Sequence, residues 1–470
     1  PIFIEFNLKI SANFVEIIGQ VHQWQWLAAV PAIGENVDPV SIGYQWNANH
    51  LQIPGAINDT YQLTHDEVGK VITVTSSHIN HHGREERWVS APTSPVVSSE
   101  AAGTLTFQQI ISDGDLLPGP EGNHVIDGLS GATDVAASAD GLYVYATGIN
   151  DDAMTVFNRD ANSGELTFVE SLKDGSFDST GQAVNGLDGA SGVAVSSDGK
   201  HIYVAGSHDD SVVTLYNNPD NSLSTFVQAV ADGNTDSDGN EIDGLDGAVS
   251  LVLSADNKHL YAIGQDDHAV VVFGRDSDTG ALTFIESHKD GVGSIEDLGQ
   301  AAGIAISPDD RHIYITGQGD HALTVFARNS ESGTLTYVEV LKNGGFDSTG
   351  RPVSSLIGAS NVRVSPDGKH VYVTADISNA MVLFSRDSNS GVLQAQEVLK
   401  DGFGGVDGLA SPFNLAMDSA GAHIYVTGRE DNAVAVFSRN SESGVASYVE
   451  VLRDGQTDSS GNTIDGLARA

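Results

Sequence analysis

Aspartate, asparagine and histidine side chains recur in a set of short turns along most of the chain, for example at Asp209-Asp210 and at Asp267-His268. Carboxylates gathered in one place can bind a cation, and histidine can act as a general base. The same residue types are common in turns because their short side chains bond to the nearby backbone. We favour the turn interpretation and retain as candidate ligand-face residues Asp152, Asp210, His268, His321, Asn379 and Asn432.

A second candidate site is a loop in which oxygen-bearing side chains alternate with other residues. Asn234, Asp236, Asp238 and Asn240 have the spacing of the first ligands of a Ca²⁺ loop. Leu245 occupies the place where an EF-hand carries its bidentate glutamate. The loop therefore predicts Ca²⁺ as the one candidate cofactor, with an incomplete ligand set.

Other chemical motifs are missing from the sequence or are repeated too often to form one site. The chain has no cysteine, no Gly-x-Ser-x-Gly motif, no phosphate-binding Gly-Lys-Ser/Thr and no His-Glu-x-x-His. Five histidines stand at equivalent positions, namely His201, His259, His312, His370 and His423. Because they are spread over five repeats, they cannot meet at one metal, and we expect them to tie neighbouring strands together.

The repeats themselves predict the architecture. A Ser-x-Asp-Gly-x-His-x-Tyr pattern and its variants begin at Ser138, Ser196, Ser254, Ser307, Ser365 and Asp418, which are 58, 58, 53, 58 and 53 residues apart. Each unit contains short apolar runs separated by Gly, Asp and Asn, as in Gly192–Val195 and His201–Val204. Four such antiparallel strands form one blade of a β-propeller, and the period is typical of that fold.

The segment Ser365–Thr374 and its counterparts resemble the YVTN-type repeats of the lactonase-like β-propeller family. This resemblance implies a propeller and, as a function, hydrolysis or isomerisation of lactones. The chain contains six complete sets of three strands, so we predict six blades, with seven as the alternative. Gly103–Phe107 reads as a fourth strand without its first three, and Ile464–Leu467 copies the linker Ile242–Leu245 that precedes a new blade.

The residues before the propeller predict two further segments. In residues 1–30, Ile4, Phe6, Leu8 and Ile10 alternate with polar residues as in a half-buried strand, which either extends the next domain or is donated to another subunit. Residues 31–98 resemble the immunoglobulin-like repeats of large bacterial surface proteins, with Trp46 as the core aromatic residue. The predicted fold class is therefore all-β, with the propeller at 99–470.

Composition limits the partners. Sixty-three acidic residues against 22 Lys and Arg give a formal net charge of -41, which disfavours nucleic acids and anionic membranes. No apolar run approaches the roughly 20 residues that span a bilayer. The first residues, Pro1–Ile10, lack a basic region and an initiating Met and read as a mature or trimmed end and not as a signal peptide. The immunoglobulin-like resemblance, the acidity and the missing cysteines favour a bacterial-type secreted protein that is extracellular or at the cell surface.

Because nearly the same loop recurs in every repeat, the sequence favours a structural or adhesive surface protein over an enzyme. The spare strand at the amino end and the incomplete blade predict head-to-tail self-association into an oligomer or filament. Two alternatives remain open, a lactone hydrolase or isomerase and a receptor for a surface glycan or protein.

Overall fold

The computed structural model describes residues 14–18, 26–32, 42–63, 67, 70–79, 84–93, 104–119, 122–218, 223–293 and 295–468. The chain forms two compact units, Pro1–Thr104 and Leu105–Ala470. All the regular secondary-structure elements of the described residues are β-strands, which confirms the all-β class. Within the described part, no helix has the length and apolar character needed to cross a bilayer.

The first unit contains two antiparallel sheets around a small core. Its strands are β1 (Phe14–Ile18), β2 (Trp26–Ala32), β3 (Gly43–Ala48), β4 (Leu51–Gln52), β5 (Thr60–Gln62), β6 (Ile72–Ile79) and β7 (Glu85–Val89). The sheet orders are β1-β2-β5 and β4-β3-β6-β7. Trp46 is fully buried and lies 6.0 Å from the ring of Tyr61.

The amino-terminal segment is part of this unit wherever it is described. Strand β2 crosses the predicted boundary at residue 30 and pairs with both β1 and β5. The strand predicted at Ile4–Ile10 lies outside the described residues.

The second unit begins with the hairpin β8 (Leu116–Gly119) and β9 (Gly122–Val125), followed by six four-stranded sheets, which we number as blades 1 to 6. Blades 1 to 3 comprise β10 (Ala132–Ala137), β11 (Tyr143–Gly148), β12 (Ala153–Arg159), β13 (Leu166–Lys173); β14 (Ala190–Val195), β15 (His201–Gly206), β16 (Ser211–Asn217), β17 (Ser224–Ala231); and β18 (Ala248–Leu253), β19 (His259–Gly264), β20 (Ala269–Arg275), β21 (Leu282–Lys289). Blades 4 to 6 comprise β22 (Ala301–Ile306), β23 (His312–Gly317), β24 (Ala322–Arg328), β25 (Leu335–Lys342); β26 (Ala359–Val364), β27 (His370–Ala375), β28 (Ala380–Arg386), β29 (Leu393–Lys400); and β30 (Pro412–Met417), β31 (His423–Gly428), β32 (Ala433–Arg439), β33 (Ala446–Arg453).

The repeated sequence motif makes the turn between the first two strands of each blade. In blade 2, Ser196 Oγ donates to Asp198 Oδ1 at 2.6 Å and accepts the backbone N–H of His201 at 3.0 Å. Gly199 takes a φ of 70°, a conformation that costs glycine little. The same serine, aspartate and glycine recur in blades 1, 2 and 5, and blades 3 and 4 place Asn257 and Asp310 at the glycine position with a positive φ, because each blade needs the same tight reversal.

The blades bury their apolar faces against one another. One core cluster combines Tyr314 and Leu323 of blade 4 with Val373 and Phe384 of blade 5, and similar clusters join other neighbouring blades. The first strands of successive blades are in contact, so they lie innermost around the ring axis. This arrangement confirms the predicted propeller and brings six different first strands to one central position.

Candidate functional site

The six predicted ligand-face residues lie at equivalent positions in the turns after the second strands. All six have a positive φ, between 49° and 56°. Asp152 Oδ1 accepts the N–H of Gly189 at 2.9 Å, and Asp210 Oδ1 accepts that of Gly247 at 2.8 Å. The corresponding bonds run from Gln300 to His268 Nδ1, from Gly358 to His321 Nδ1 and from Ser411 to Asn379 Oδ1.

Five of these six side chains, those of Asp152, Asp210, His268, His321 and Asn379, therefore bind the linker that leads into the next blade. The structure distributes them one per blade, and none of the six lines the axial cavity described below. Sequence reasoning placed them in the correct turns, but their acceptor atoms face the protein backbone.

The predicted calcium loop also uses its acid internally. Asp236 Oδ1 accepts the N–H groups of Asp238 and Asn240, and Oδ2 accepts the N–H of Phe284 in the next blade at 2.9 Å. Burial acts to raise the pKa of Asp236. The bonds just described and one from the Asn240 side chain outweigh burial, so the pKa of Asp236 lies below its ordinary value. A calcium ion bound here would have to displace these hydrogen-bond donors. Calcium coordination by Asn234 stays a prediction.

Two acidic clusters elsewhere, Asp232 with Asp243 and Asp267, and Asp401 with Asp407 and Asp431, each contain a basic side chain that pairs with two of the acids. Lys289 Nζ lies 2.6 Å from Asp243 and 2.8 Å from Asp267, and Arg453 pairs in the same way with Asp407 and Asp431. These groups are ion-pair networks between strand ends.

A cavity of about 240 Å³ opens on the ring axis. Its lining comes mainly from the first strands, and the residues differ from blade to blade: Thr133, Asp134, Ser191, Val249, Ser250, Ala302, Ser360, Asn361, Arg363, Phe413 and Asn414. The repeat is nearly constant elsewhere, so this is the place where the propeller gathers unlike groups. Concave sites with a few convergent polar groups are the usual form of a ligand site.

Two opposite charges lie in this cavity. Asp134 Oδ1 accepts the N–H of Val135 at 2.9 Å, and Oδ2 accepts that of Val193 in blade 2 at 3.0 Å. Burial raises the pKa of Asp134 despite these bonds and the attraction of Arg363. Each carboxylate oxygen keeps a second lone pair, so Asp134 can still accept a proton.

Arg363 is held from one side only. Its Nη1 donates to Asn361 Oδ1 and to the Val362 carbonyl, both at 2.9 Å. Among the described residues, Nε and Nη2 have no acceptor, and burial lowers the pKa of the guanidinium. At the cavity wall, Phe413 lies under the Arg429 guanidinium at 4.1 Å. The cavity wall therefore offers donors for a carbonyl or carboxylate oxygen on blade 5 and a half-buried carboxylate that can act as a base on blade 1.

Comparison with known proteins identifies the architecture. The sequence model of a family described as "Lactonase, 7-bladed beta-propeller" matches residues 172–295, 246–346 and 342–451. A putative 6-phosphogluconolactonase from Bacteroides uniformis is 15% identical, with a TM-score of 0.53 and coverage of 89% of this chain and 97% of that one. A periplasmic gluconolactonase from Pseudomonas aeruginosa is 18% identical, with a TM-score of 0.52 and coverage of 81% and 92%.

These likenesses to solved structures show the fold, and the family match corrects the predicted function. The interpretation as a non-enzymatic adhesive or structural surface protein is wrong, because the family whose model matches this chain is described as a lactonase. The family description also gives seven blades where the sequence predicted six.

Proposed function

This chain belongs to the seven-bladed β-propeller lactonase family, and on that premise we propose that it hydrolyses lactones in the axial cavity. The observation that carries the proposal is that Asp134 and Arg363 line the same cavity and that the lining differs between blades. The cavity brings chemically different side chains together at one place, whereas the repeated turns carry similar residues that are spread over six blades.

Hydrolysis of a lactone needs a nucleophilic water, a stabilised carbonyl oxygen and a proton for the departing ring oxygen. Asp134 acts as the general base that takes a proton from water as the water attacks the carbonyl carbon. Arg363 donates through Nε and Nη2 to the oxygen that becomes negative in the tetrahedral intermediate. The ring C–O bond then breaks, and the proton held by Asp134 passes to the released alkoxide, which gives a hydroxy acid.

Asn361 positions the guanidinium through its bond to Nη1. The backbone N–H groups of Val135 and Val193 fix the Asp134 carboxylate between blades 1 and 2. Both reacting groups are therefore held by strands of the ring, which keeps their geometry constant during the reaction.

The test is a titration assay of acid release with gluconolactone and simple aliphatic lactones as probes. We expect turnover by the unaltered protein, a loss of at least 100-fold in kcat for Asp134→Asn, and a comparable loss for Arg363→Gln. Asp238→Asn makes the same chemical change on an exposed loop and should leave the rate unaltered. Absence of turnover for every lactone, or equal rates for Asp134→Asn and Asp238→Asn, would reject the proposal.

A pH profile separates catalysis by Asp134 from its structural bonds. The pKa of Asp134 is raised, so kcat/KM should fall with decreasing pH at a higher pH than an ordinary aspartate would give. Residual activity in Asp134→Asn should lack this acid limb.

We also propose that the first unit is an immunoglobulin-like sandwich, supported by its two sheets and the buried Trp46. Extracellular location, self-association and Ca²⁺ binding stay predictions from the sequence.

A further inference from the structure

Asp134 is attached to blade 2 both through its side chain and, by way of Thr147, through its backbone. Its Oδ2 accepts the N–H of Val193 at 3.0 Å. The N–H of Asp134 donates to Thr147 Oγ1 at 3.2 Å, and Thr147 Oγ1 donates to the Ser191 carbonyl at 2.7 Å. Because Ser191 and Val193 both belong to β14, one strand of blade 2 holds the carboxylate and the backbone of Asp134 together.

The Thr147 hydroxyl lies at a bulge in the first strand of blade 1. Thr147 is fully buried on β11 and pairs with Asp134, directly after the shift in register that leaves Thr133 outside the pairing. A bulge of this kind changes the direction in which nearby side chains point. Thr133 also donates to the Ser191 carbonyl, at 2.9 Å, but Thr147 is the residue that accepts the N–H of Asp134 as well. Its hydroxyl therefore fixes the point at which the strand resumes its regular course.

The same hydroxyl recurs in some blades and is missing from others. The N–H of Gly303 donates to Thr316 Oγ1 at 2.8 Å in blade 4, and the N–H of Asn414 donates to Thr427 Oγ1 at 3.2 Å in blade 6. Blades 2 and 3 carry alanine and isoleucine at the threonine position and cannot make this bond. The carboxylate and the two carboxamides that line the cavity from the first strands all lie opposite a threonine; they belong to Asp134, Asn361 and Asn414.

The outer part of the interface between blades 1 and 2 lacks a contact that four other interfaces share. In those four, an arginine at the end of a third strand bonds to the preceding blade, as Arg386 does to His312 and Tyr314 at 2.8 Å and 2.7 Å. Asn217 stands at the arginine position in blade 2. Asn217 Oδ1 and Tyr145 Oη are buried and have no hydrogen-bond partner among the described residues. The bonds near the axis therefore contribute a larger share of this interface than of the others.

We infer that Thr147 is a positioning residue for Asp134, because its hydroxyl holds the bulged backbone of blade 1 on the Ser191 carbonyl of blade 2. The inference rests on the proposed role of Asp134 as the general base. Thr147 itself does not line the cavity. Without the hydroxyl, the N–H of Asp134 loses its acceptor, and the backbone at the bulge loses its link through Thr147 to blade 2.

The consequence is a displaced carboxylate. The bond from Val193 fixes Asp134 Oδ2 only while the backbone of Asp134 stays in place. A displacement of about 1 Å at a reacting group can lower the rate by about 100-fold. Substrate binding by Arg363, on blade 5, does not depend on this bulge, so the loss should fall on kcat and not on KM.

Three variants separate positioning from stability. Thr147→Val removes the hydroxyl and keeps the shape of the side chain, whereas Thr147→Ser keeps the hydroxyl. Thr155→Val is the matched control, because Thr155 is also fully buried in blade 1 and its Oγ1 lies 2.9 Å from Ser171 Oγ and 3.3 Å from the Gly128 carbonyl. None of these three control residues lines the cavity. Both valine variants should lower Tm to a similar extent, since each loses buried hydrogen bonds.

Amide exchange of Val193, measured by NMR, reports the bond to Asp134 without any substrate. Asp134→Ala gives the exchange rate of this N–H when its acceptor is missing. Thr147→Val should raise the exchange rate of Val193 towards the rate in Asp134→Ala. Thr147→Ser and Thr155→Val should leave the rate close to that of the unaltered protein.

The kinetic assay uses a lactone that the unaltered protein hydrolyses. Thr147→Val should lower kcat by about 10- to 100-fold with little change in KM. Thr147→Ser should restore kcat, and Thr155→Val should keep the kcat of the unaltered protein.

Three results would overturn the inference: an unchanged exchange rate of Val193 in Thr147→Val, equal losses of kcat in Thr147→Val and Thr155→Val, or no recovery of either quantity in Thr147→Ser. If Thr147→Val does not fold, Thr147→Cys puts a weaker donor and acceptor in the same place, and the same comparisons apply. Absence of turnover by the unaltered protein would reject the proposed hydrolysis, but the exchange of Val193 would still decide whether Thr147 positions Asp134. The two conclusions therefore fail separately.

Discussion

Replacement of Arg386 by methionine should destabilise the propeller much more than the same replacement of Arg159. Both arginines end the third strand of a blade. Arg386 has a fully buried side chain that bonds to Asp309, His312, Tyr314 and the Gly368 carbonyl. Arg159 has one bond, of 3.2 Å, to the Gly141 carbonyl.

The difference in magnitude follows from what is left unpaired. Arg386→Met leaves two buried acceptors, His312 Nδ1 and the Gly368 carbonyl, without their donor, at about 1–3 kcal/mol for each group, or about 2–6 kcal/mol together. Losing one partly exposed hydrogen bond costs about 0.5–1.5 kcal/mol. For a unit as long as Leu105–Ala470, the entropy of unfolding converts these values to roughly 1.3 °C per kcal/mol. We therefore expect Tm to fall by about 3–8 °C for Arg386→Met and about 1–2 °C for Arg159→Met.

Scanning calorimetry is the appropriate assay because the two units can unfold separately. The transition of the first unit serves as an internal reference that neither substitution should move. If both variants lowered the propeller transition equally, the hydrogen bonds of Arg386 to buried groups of blades 4 and 5 would contribute no net stability. The reasoning from the unpaired buried groups would then be refuted.

Three further outcomes follow from the same geometry. Burial and the adjacent arginines lower the pKa of four histidines below the ordinary value of 6.5, namely His201, His259, His312 and His370. As pH falls, these histidines are protonated in the unfolded chain at a higher pH than in the folded chain, so their contribution to stability is full above pH 6.5 and is lost below it. Tm measured between pH 7.5 and 5 should therefore decline as pH falls. Gly391→Ala should lower Tm more than Gly164→Ala, because both glycines have a φ near 77° but only Gly391 faces a histidine, and equal shifts would assign the cost to φ alone. Asp236→Ala should lower Tm to the same extent with and without a chelator, since its oxygens hold N–H groups; a loss seen only without chelator would point to a bound cation.

The sequence was sufficient for the blade because its signals are local. Ser196, Asp198 and Gly199 close a turn with their own side chains and φ, and the alternation of apolar residues follows directly from the strand. The sequence predicts His312 and its equivalents as ties between neighbouring strands, but the His312 ring bonds to Arg386 of the next blade, 74 residues away, and the repeat did not reveal this partner.

The repeat pattern did not reveal the candidate site because the pattern is made of residues that the blades share, whereas the cavity residues differ between blades. Asp134, Asn361 and Asn414 stand at corresponding positions of different first strands, where other blades carry Gly192 or Gly303. Comparing the repeats position by position for differences would have exposed them. The placement of Asp134 and Arg363 in one cavity still depends on the arrangement of the blades around the ring, which no local pattern encodes.

The bond between Leu105 and Glu450 joins residues 345 positions apart. A contact over such a separation forms only after the chain between has been ordered, and the entropy lost in closing so long a loop slows the step. During synthesis, Leu105 cannot form this bond until Glu450 of blade 6 has emerged from the ribosome. The propeller therefore passes through a stage in which its blades are stacked but unclosed, and chaperone binding or misassembly is most to be expected at that stage.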